Sequence, residues 1–495
     1  MNLSTTSSTS STSSTQNVTK KYDLIVIGSG PGGYIAAIRA TQLGKQVALI
    51  ERDKLGGVCL NRGCIPTKAL IKSARAVHAL SEMKELGINI DHNSISLDGL
   101  KALTRANAVA DRVSKGVGHL MKKNKIDVIS GHARFIDQKI IEVFNPTNNT
   151  NNESICTISA TKIIIATGAK YKTFDGLTHD GVRLLGAWEA LKLKSFPKSV
   201  AVIGAGAIGV EFSYFYNAFG AEVSIFEREP HLLPLEDSDT SLEIERAYKR
   251  YGIKLNLGLK GVRAKNCDTH VEVTFERAID ANANTEIKTE NFDIALIAVG
   301  MTGNLNEIGL EKIGTGIKVD RGFIAADEFG RTNVEGIYAI GDVVGAPLLA
   351  HVASHQGIIA VEHMFGENPH PIKRENIPGC TYSVPEVASV GLSENFLKQN
   401  DIKYRVGKLP FIANGKAIAS NEKDGMIKVL IDENDKLLGA HIVGEHATEL
   451  LFEYMLIKEQ NGSVKDIINT IHAHPTLGES LSEAILLAYN RSLNF

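Results

Sequence analysis

The sequence predicts an α/β chain made of two copies of one βαβ unit, followed by an α+β C-terminal part. The run Tyr22-Asp-Leu-Ile-Val-Ile27 passes straight into glycines at Gly28, and Val200-Ala-Val-Ile203 does the same at Gly204. Such short, continuously apolar runs mark parallel strands buried on both faces. In each copy an acid closes the next apolar run, Glu51 and then Glu227, and the same interval of 23 residues separates it from the first glycine. Beyond about Phe365 the pattern turns into alternating strands mixed with helices.

In the first copy, a helix is expected from Gly33 to about Leu43 and a second strand from Gln46 to Glu51. In the second, the helix runs to about Phe219 and the strand from Glu222 to Glu227. The Asn-rich stretch Asn145 to Asn152 reads as an exposed hairpin turn, and Ala281 to Glu290 as a polar loop between strands. The last helix is expected from about Pro475. At the other end, MNLSTTSSTSSTSSTQNVTK lacks the apolar core of a signal peptide. It also lacks the arginines and amphipathic period of a transit peptide, so residues 1–20 read as a disordered Ser/Thr tail.

Composition narrows the class. The 495 residues are too many for one core and point to several domains. Hydrophobic content of 43% and charged content of 22% are those of an ordinary soluble protein. A formal net charge of −2 without a long basic run argues against nucleic acid as the main partner. Apolar stretches such as Ile163–Ile165 and Ile294–Ile297 are too short to span a bilayer. Five cysteines in so long a chain do not make a disulfide-stapled secreted framework, so a reducing cytoplasm is expected.

The glycines carry the first chemical signal. Gly28-Ser-Gly30-Pro-Gly-Gly33 fits G-x-G-x-x-G between a strand and a helix. That arrangement lets the backbone approach a pyrophosphate at the helix N-terminus, while Glu51 can accept from ribose hydroxyls. Gly204-Ala-Gly206-Ala-Ile-Gly209 repeats it, ending at Glu227. A carboxylate there favours a free 2′-hydroxyl over a 2′-phosphate, hence NAD over NADP, with the adjacent Arg228 read as solvent-facing. Two Rossmann-like dinucleotide sites in one chain suggest electron transfer between a tightly held and an exchangeable cofactor.

The second signal is "LGGVCLNRGCIPTKAL", which places Cys59 and Cys64 five residues apart. Along an ideal helix that spacing rises about 7.5 Å and turns about 140°. A disulfide wants Cα atoms within roughly 7 Å and facing Cβ vectors. A bridge therefore needs a non-ideal turn, which Gly63 permits, with Pro66 in the first turn of a helix through Ala69, Leu70 and Ala76. A Cys64 thiolate near that N-terminus gains from the helix dipole. A zinc half-site and two unrelated buried thiols remain as alternatives, the former lacking a second close pair of ligands. The third signal is "IHAHPTLGES". His474 precedes Pro475, and Glu479 lies within reach of the imidazole, which a carboxylate would orient and make more basic. The same two residues could instead cap a surface helix. His472 has no equivalent partner in this motif and reads as structural.

"GSGPGG", "GGVCLNRGCIPTKAL", "GAGAIGVE", "IYAIGD" and "HAHPTLGES", in this order, closely resemble the dihydrolipoamide dehydrogenases, flavin-dependent pyridine nucleotide–disulphide oxidoreductases. The resemblance runs from about Tyr22 nearly to the end. It implies FAD and NAD domains and a C-terminal α+β dimerisation domain: residues 21–168 and 293–364 for FAD, 169–292 for NAD and 365–495 for dimerisation. It also implies oxidation of protein-bound dihydrolipoyl groups by NAD+. Cys59 then matches the thiol that exchanges with substrate, Cys64 the thiol at the flavin, and His474 and Glu479 a catalytic dyad serving the partner subunit of a homodimer. Gly28, Gly30, Gly33, Glu51, Lys68, Ala133, Thr167, Gly168, Asp342, Leu349, Ala350 and His351 match the FAD side. Gly204, Gly206, Gly209, Glu211, Glu227, Val262 and Gly300 match the NAD side, with Lys68 and Glu211 forming a pair. No metal is implied. The implied macromolecular partners are the lipoyl-bearing acyltransferase of 2-oxo acid dehydrogenase complexes or the lipoyl protein of glycine cleavage. The location implied is the cytoplasm, or an organelle matrix if the tail is a transit peptide. Departures from the family pattern are Met301-Thr-Gly-Asn304, the segment "AKYKTFDG" after Gly168, and Val352 and Gln356.

Overall fold

A computed structural model describes residues 18–145, 153–278 and 285–494. Most of the Ser/Thr tail, all but the first residue of the Asn-rich stretch, and the beginning of the 281–290 segment lie outside the described residues. The chain divides into two compact units.

The first unit comprises Met1–Gly57, Val117–Ala169 and Gly303–His370. Its sheet runs in the order Asp127–Ser130, Val47–Glu51, Lys20–Ile27, Glu153–Ile165, Ile140–Asn145, His132–Asp137, with Ile337–Ala339 also on Glu153–Ile165. Lys20–Ile27 pairs in parallel with both neighbours, Leu24 with Val47 and Ile25 with Ile163. Leu24, Ile25 and Val26 are fully buried, as a strand covered on both faces requires. The helix Pro31–Gln42 follows directly, with proline in its first turn. It buries Gly32, Gly33, Ala36, Ala37 and Ala40, and these small residues let the helix Ala350–Met364 come close. A Cβ on Gly357 would stand 2.6 Å from the carbonyl of Gly32.

The second unit comprises Val58–Gly116, Lys170–Thr302 and Pro371–Phe495. It repeats the motif in a parallel sheet ordered Lys254–Asn256, Glu222–Phe226, Ser199–Ile203, Ile294–Ile297, Leu184–Leu185. The helix Ala207–Ala218 packs against the helix Cys64–Glu82 through Val210, Phe212, Tyr214, Leu70, Ile71 and Ala74. A three-stranded antiparallel sheet consists of Lys260–Asn266, Val271–Ala278 and Thr285–Phe292. The last strand corrects the expectation of a loop through Glu290. Thr-Glu-Ile-Lys-Thr-Glu-Asn-Phe is polar because it is an exposed edge strand, and its pairing with Val271–Ala278 holds it straight. The C-terminal five-stranded antiparallel sheet carries the helices Ala447–Glu459 and Glu479–Ala488. The final helix therefore starts at Glu479 rather than Pro475. Residues 475–478 form a loop in which the amide of Thr476 turns back to the Glu479 carboxylate.

One buried charge cluster ties the C-terminal sheet to the segment after the second βαβ unit. Lys428, on the wholly buried strand Met426–Ile431, donates to Asp237 at 2.8 Å, Asp239 at 2.8 Å and Glu394 at 2.7 Å. Its side chain and that of Asp237 are both 0% exposed. Three acceptors match the three protons of an ammonium, so none is left unsatisfied. Burial opposes the charge of Lys428, but the three carboxylates outweigh it and raise its pKa. Lys428→Met leaves the buried Asp237 carboxylate without a cation, while Asp239 keeps Lys408 and Glu394 keeps Lys398. We expect it to lower unfolding free energy by about 3–5 kcal/mol in a denaturant titration. A change below about 1 kcal/mol would show that the carboxylates find water or protons instead. Among the described residues no helix is long and apolar enough to cross a membrane.

Candidate active site

The two glycine motifs adopt one geometry twice. Gly28 and Gly204 both have φ +100°, closed to most side chains, and a Cβ there would stand 2.3 Å from the Ala166 carbonyl and 2.5 Å from that of Ala298. A Cβ on Gly33 or Gly209 would meet the carbonyl of the first glycine at 1.9 Å. The middle glycines, Gly30 and Gly206, have nothing within 4 Å and leave open the space in front of the helix N-terminus. The strand-end acids are equally alike. Glu51 Oε2 accepts from the Ser29 amide at 2.9 Å and hydroxyl at 2.6 Å, and its Oε1 from the Asp53 amide at 2.9 Å. Glu227 Oε2 accepts from the Ala205 amide at 2.6 Å, and its Oε1 from the Glu229 amide at 2.9 Å. Each carboxylate thus braces its own phosphate loop. The Arg228 side chain is 82% exposed and pairs with Glu229, so it faces solvent as expected.

Around the first motif are groups that want a polar ligand. The Thr167 hydroxyl is buried without a hydrogen-bond partner, although its carbonyl and that of Gly168 accept from Asn304. Asp342 stands in the short turn Gly341–Val344, where burial pushes its carboxyl up to about 6. Ala133 is buried in the strand His132–Asp137; Leu349 caps the helix Ala350–Met364, with Ala350 and His351 in its first turn. Gln356, one of the departures, accepts from the Gly341 amide at 2.7 Å, a bond that an amide oxygen makes as a carboxylate would. An orphaned hydroxyl and a buried carboxyl beside an open phosphate loop fit a polyhydroxylated dinucleotide such as FAD. In the second unit, Val262 lies on the strand Lys260–Asn266 and Gly300 has φ +133°.

The thiols occupy a helix break. A short helix, Gly57–Arg62, stops at Gly63, whose φ −137° and ψ −110° are non-helical, and Cys64 begins the helix Cys64–Glu82. That break replaces the five-residue helical offset with two facing side chains, and the two Sγ atoms lie 2.7 Å apart. The Cys64 thiol is lowered to about 7, first by the hydrogen bond from Cys59 and then by Lys68, against the cost of burial. Lys68, one turn on, donates to both carboxylate oxygens of Glu211 at 2.9 Å. Tyr382 completes this pair, its amide donating to Glu211 at 3.0 Å and its ring lying 4.4 Å from the Lys68 ammonium. Nothing local in the sequence points to Tyr382, which lies 171 positions from Glu211.

His474 and Glu479 are joined as expected, Nδ1 to Oε1 at 2.9 Å. The Glu479 carboxyl is held below its ordinary range by the Thr476 amide and by His474. The imidazole is 79% exposed. His472 finds its carboxylate outside the motif: its Nε2 lies 3.1 Å from Glu453, on the helix Ala447–Glu459.

Comparison with known proteins agrees with this geometry. The model of the pyridine nucleotide–disulphide oxidoreductases matches residues 22–357, and that of their dimerisation domain matches residues 377–485. A dihydrolipoyl dehydrogenase of Zymomonas mobilis is 44% identical over 480 residues, covering 96% of this chain and 99% of its own. One from Bacillus subtilis is 40% identical over 482 residues, covering 96% and 99%. Among solved structures, LpdA from Mycobacterium tuberculosis superposes with a TM-score of 0.83 at 26% identity, covering 96% of this chain and 99% of its own. Duplicated phosphate loops, paired thiols and an end-to-end match agree: the chain belongs to the pyridine nucleotide–disulphide oxidoreductase family and carries that family's dimerisation domain.

Proposed function

We propose that this chain is a dihydrolipoyl dehydrogenase that oxidises protein-bound dihydrolipoyl groups to lipoyl groups and reduces NAD+ to NADH. The observation that carries the reading is the facing thiol pair at the helix break, in a chain matched along its length by enzymes of that name. His474, oriented by Glu479, accepts a proton from the substrate dithiol. The resulting thiolate attacks Cys59 of a Cys59–Cys64 disulfide, and the second substrate thiol resolves the mixed disulfide, leaving both cysteines reduced. Cys64, with its depressed pKa, holds the thiolate, and the Lys68 ammonium stabilises that charge. Gly28, Gly30, Gly33, Glu51 and Asp342 would hold FAD, which when bound would supply the two-electron chemistry between a thiol pair and NAD+. NAD+ takes the Gly204–Gly209 loop, where Glu227 disfavours a 2′-phosphate.

The high exposure of His474 supports its acting in the partner subunit's active site, within a homodimer assembled through residues 365–495. Residues 21–168 and 293–364 are then the FAD domain and 169–292 the NAD domain. The macromolecular substrate is a lipoyl-bearing acyltransferase or glycine-cleavage lipoyl protein, in the cytoplasm.

Anaerobic addition of dihydrolipoamide to the FAD-loaded protein tests the proposal. A long-wavelength thiolate-to-flavin band should appear, and NAD+ should then discharge it with formation of NADH. No band, or faster discharge by NADP+, would overturn the thiol assignment or the Glu227 assignment respectively. The band needs an ionised Cys64, so it should fade as pH falls through about 7 and persist above it. A pH-independent band between about 5.5 and 8.5 would remove Cys64 as its source.

A further inference from the structure

We propose a divalent metal site of the zinc class at the tip of the hairpin joining Lys260–Asn266 to Val271–Ala278, formed by Cys267, His270 and Glu272. It lies outside the redox site and rests on the hairpin's own geometry. Cys267 and His270 close the turn, the Cys267 amide donating to the His270 carbonyl at 2.9 Å, so their side chains leave the same face from opposite strands. Glu272 lies two residues beyond His270 and shares that face by the strand's period of two. Their sulphur, nitrogen and carboxylate donor atoms all lie within 4.8 Å of one another. Donors around a tetrahedral zinc stand about 3.5 Å apart, given bond lengths of about 2.0–2.3 Å. His270 Nε2 and Glu272 Oε1 are already 3.9 Å apart, so small rotations of half-exposed side chains close the site.

Two features hold the donors in place. The Thr269 hydroxyl bonds His270 Nδ1 at 3.0 Å, turning Nε2 toward Glu272, the outer contact that ligating histidines use. The turn itself is pinned from both sides: Asn266 donates to Asp180 at 2.6 Å, and Arg183 donates to the Asp268 carbonyl at 2.8 Å. Asp268 takes φ +62°, which aspartate tolerates and which makes the turn tight enough to bring the donors together. A thiolate and a carboxylate neutralise a divalent ion, the imidazole adds a neutral borderline donor, and solvent supplies the fourth position. Lys265 stands opposite Glu272 in the ladder, so its ammonium competes with the ion for that carboxylate.

The test is a calorimetric zinc titration of the full-length, FAD-loaded protein carrying Cys59→Ser and Cys64→Ser, which removes the redox thiols as rival ligands. One zinc per chain should bind. Cys267→Ala and His270→Ala, each on that background, should weaken it at least about tenfold, whereas Lys265→Ala should leave it unchanged or tighten it. Zinc should also raise the thermal midpoint of the parent but not of the His270→Ala protein. Absence of binding, or equal affinity in the parent and in both ligand variants, would overturn the site.

Discussion

Cys64→Ser is expected to lower the rate of dihydrolipoamide oxidation by NAD+ on the order of 10⁴-fold or more, the scale on which an enzyme loses activity with its covalent nucleophile. Serine keeps the volume, so the helix break at Gly63 and the Lys68–Glu211 pair should survive and the protein should still bind FAD. What disappears is the group that holds the negative charge next to Lys68: a hydroxyl does not ionise near neutral pH, whereas this thiol is lowered to about 7. The Cys59→Ser protein separates the two roles. It should lose turnover to the same extent, yet retain a Cys64 thiolate and with it the long-wavelength band. A band kept in the Cys64→Ser protein and lost in the Cys59→Ser protein would show that the order of the two thiols is misassigned.

His474→Ala should lower the rate by about 10²–10⁴-fold, the usual contribution of a positioned general base. The imidazole is 79% exposed and touches little besides Glu479, so the loss should come without a fall in thermal stability. Glu479→Gln should cost less, because an amide oxygen can still accept from His474, although the NH2 that replaces the other oxygen can no longer accept from the Thr476 amide. NADH oxidation by a soluble dye, which needs no proton acceptor for a dithiol, discriminates: it should persist in both variants. A parallel fall in dye reduction would place His474 in folding or cofactor retention instead.

The parts of this molecule that could be read in advance are those whose cause is local. A glycine turn, an apolar strand before it and an acid after it all lie within one short segment, so both βαβ units were legible. The thiol pair was legible as a question, because spacing alone showed that a helix would not bring the sulphurs together; Gly63 answers it. The strand Thr285–Phe292 was not legible, since an exposed edge strand lacks the apolar period and owes its shape to Val271–Ala278. Glu453 at His472, Tyr382 at Lys68 and the three carboxylates at Lys428 share another reason. Each partner is supplied by tertiary folding from a distant segment, and no short pattern encodes it.

The double bracing of Glu227 bears on any attempt to exchange this protein's nicotinamide cofactor. A redesign toward NADP would begin by replacing the acid with a neutral or cationic side chain. Here that same side chain is the acceptor for the amides of Ala205 and Glu229, so its removal unties the loop that must cradle the pyrophosphate of either cofactor. Selectivity and grip are welded into one residue. A successful swap would leave a short acceptor at this position, serine or asparagine for instance, and recruit the positive charge from the neighbouring Arg228 after freeing it from Glu229.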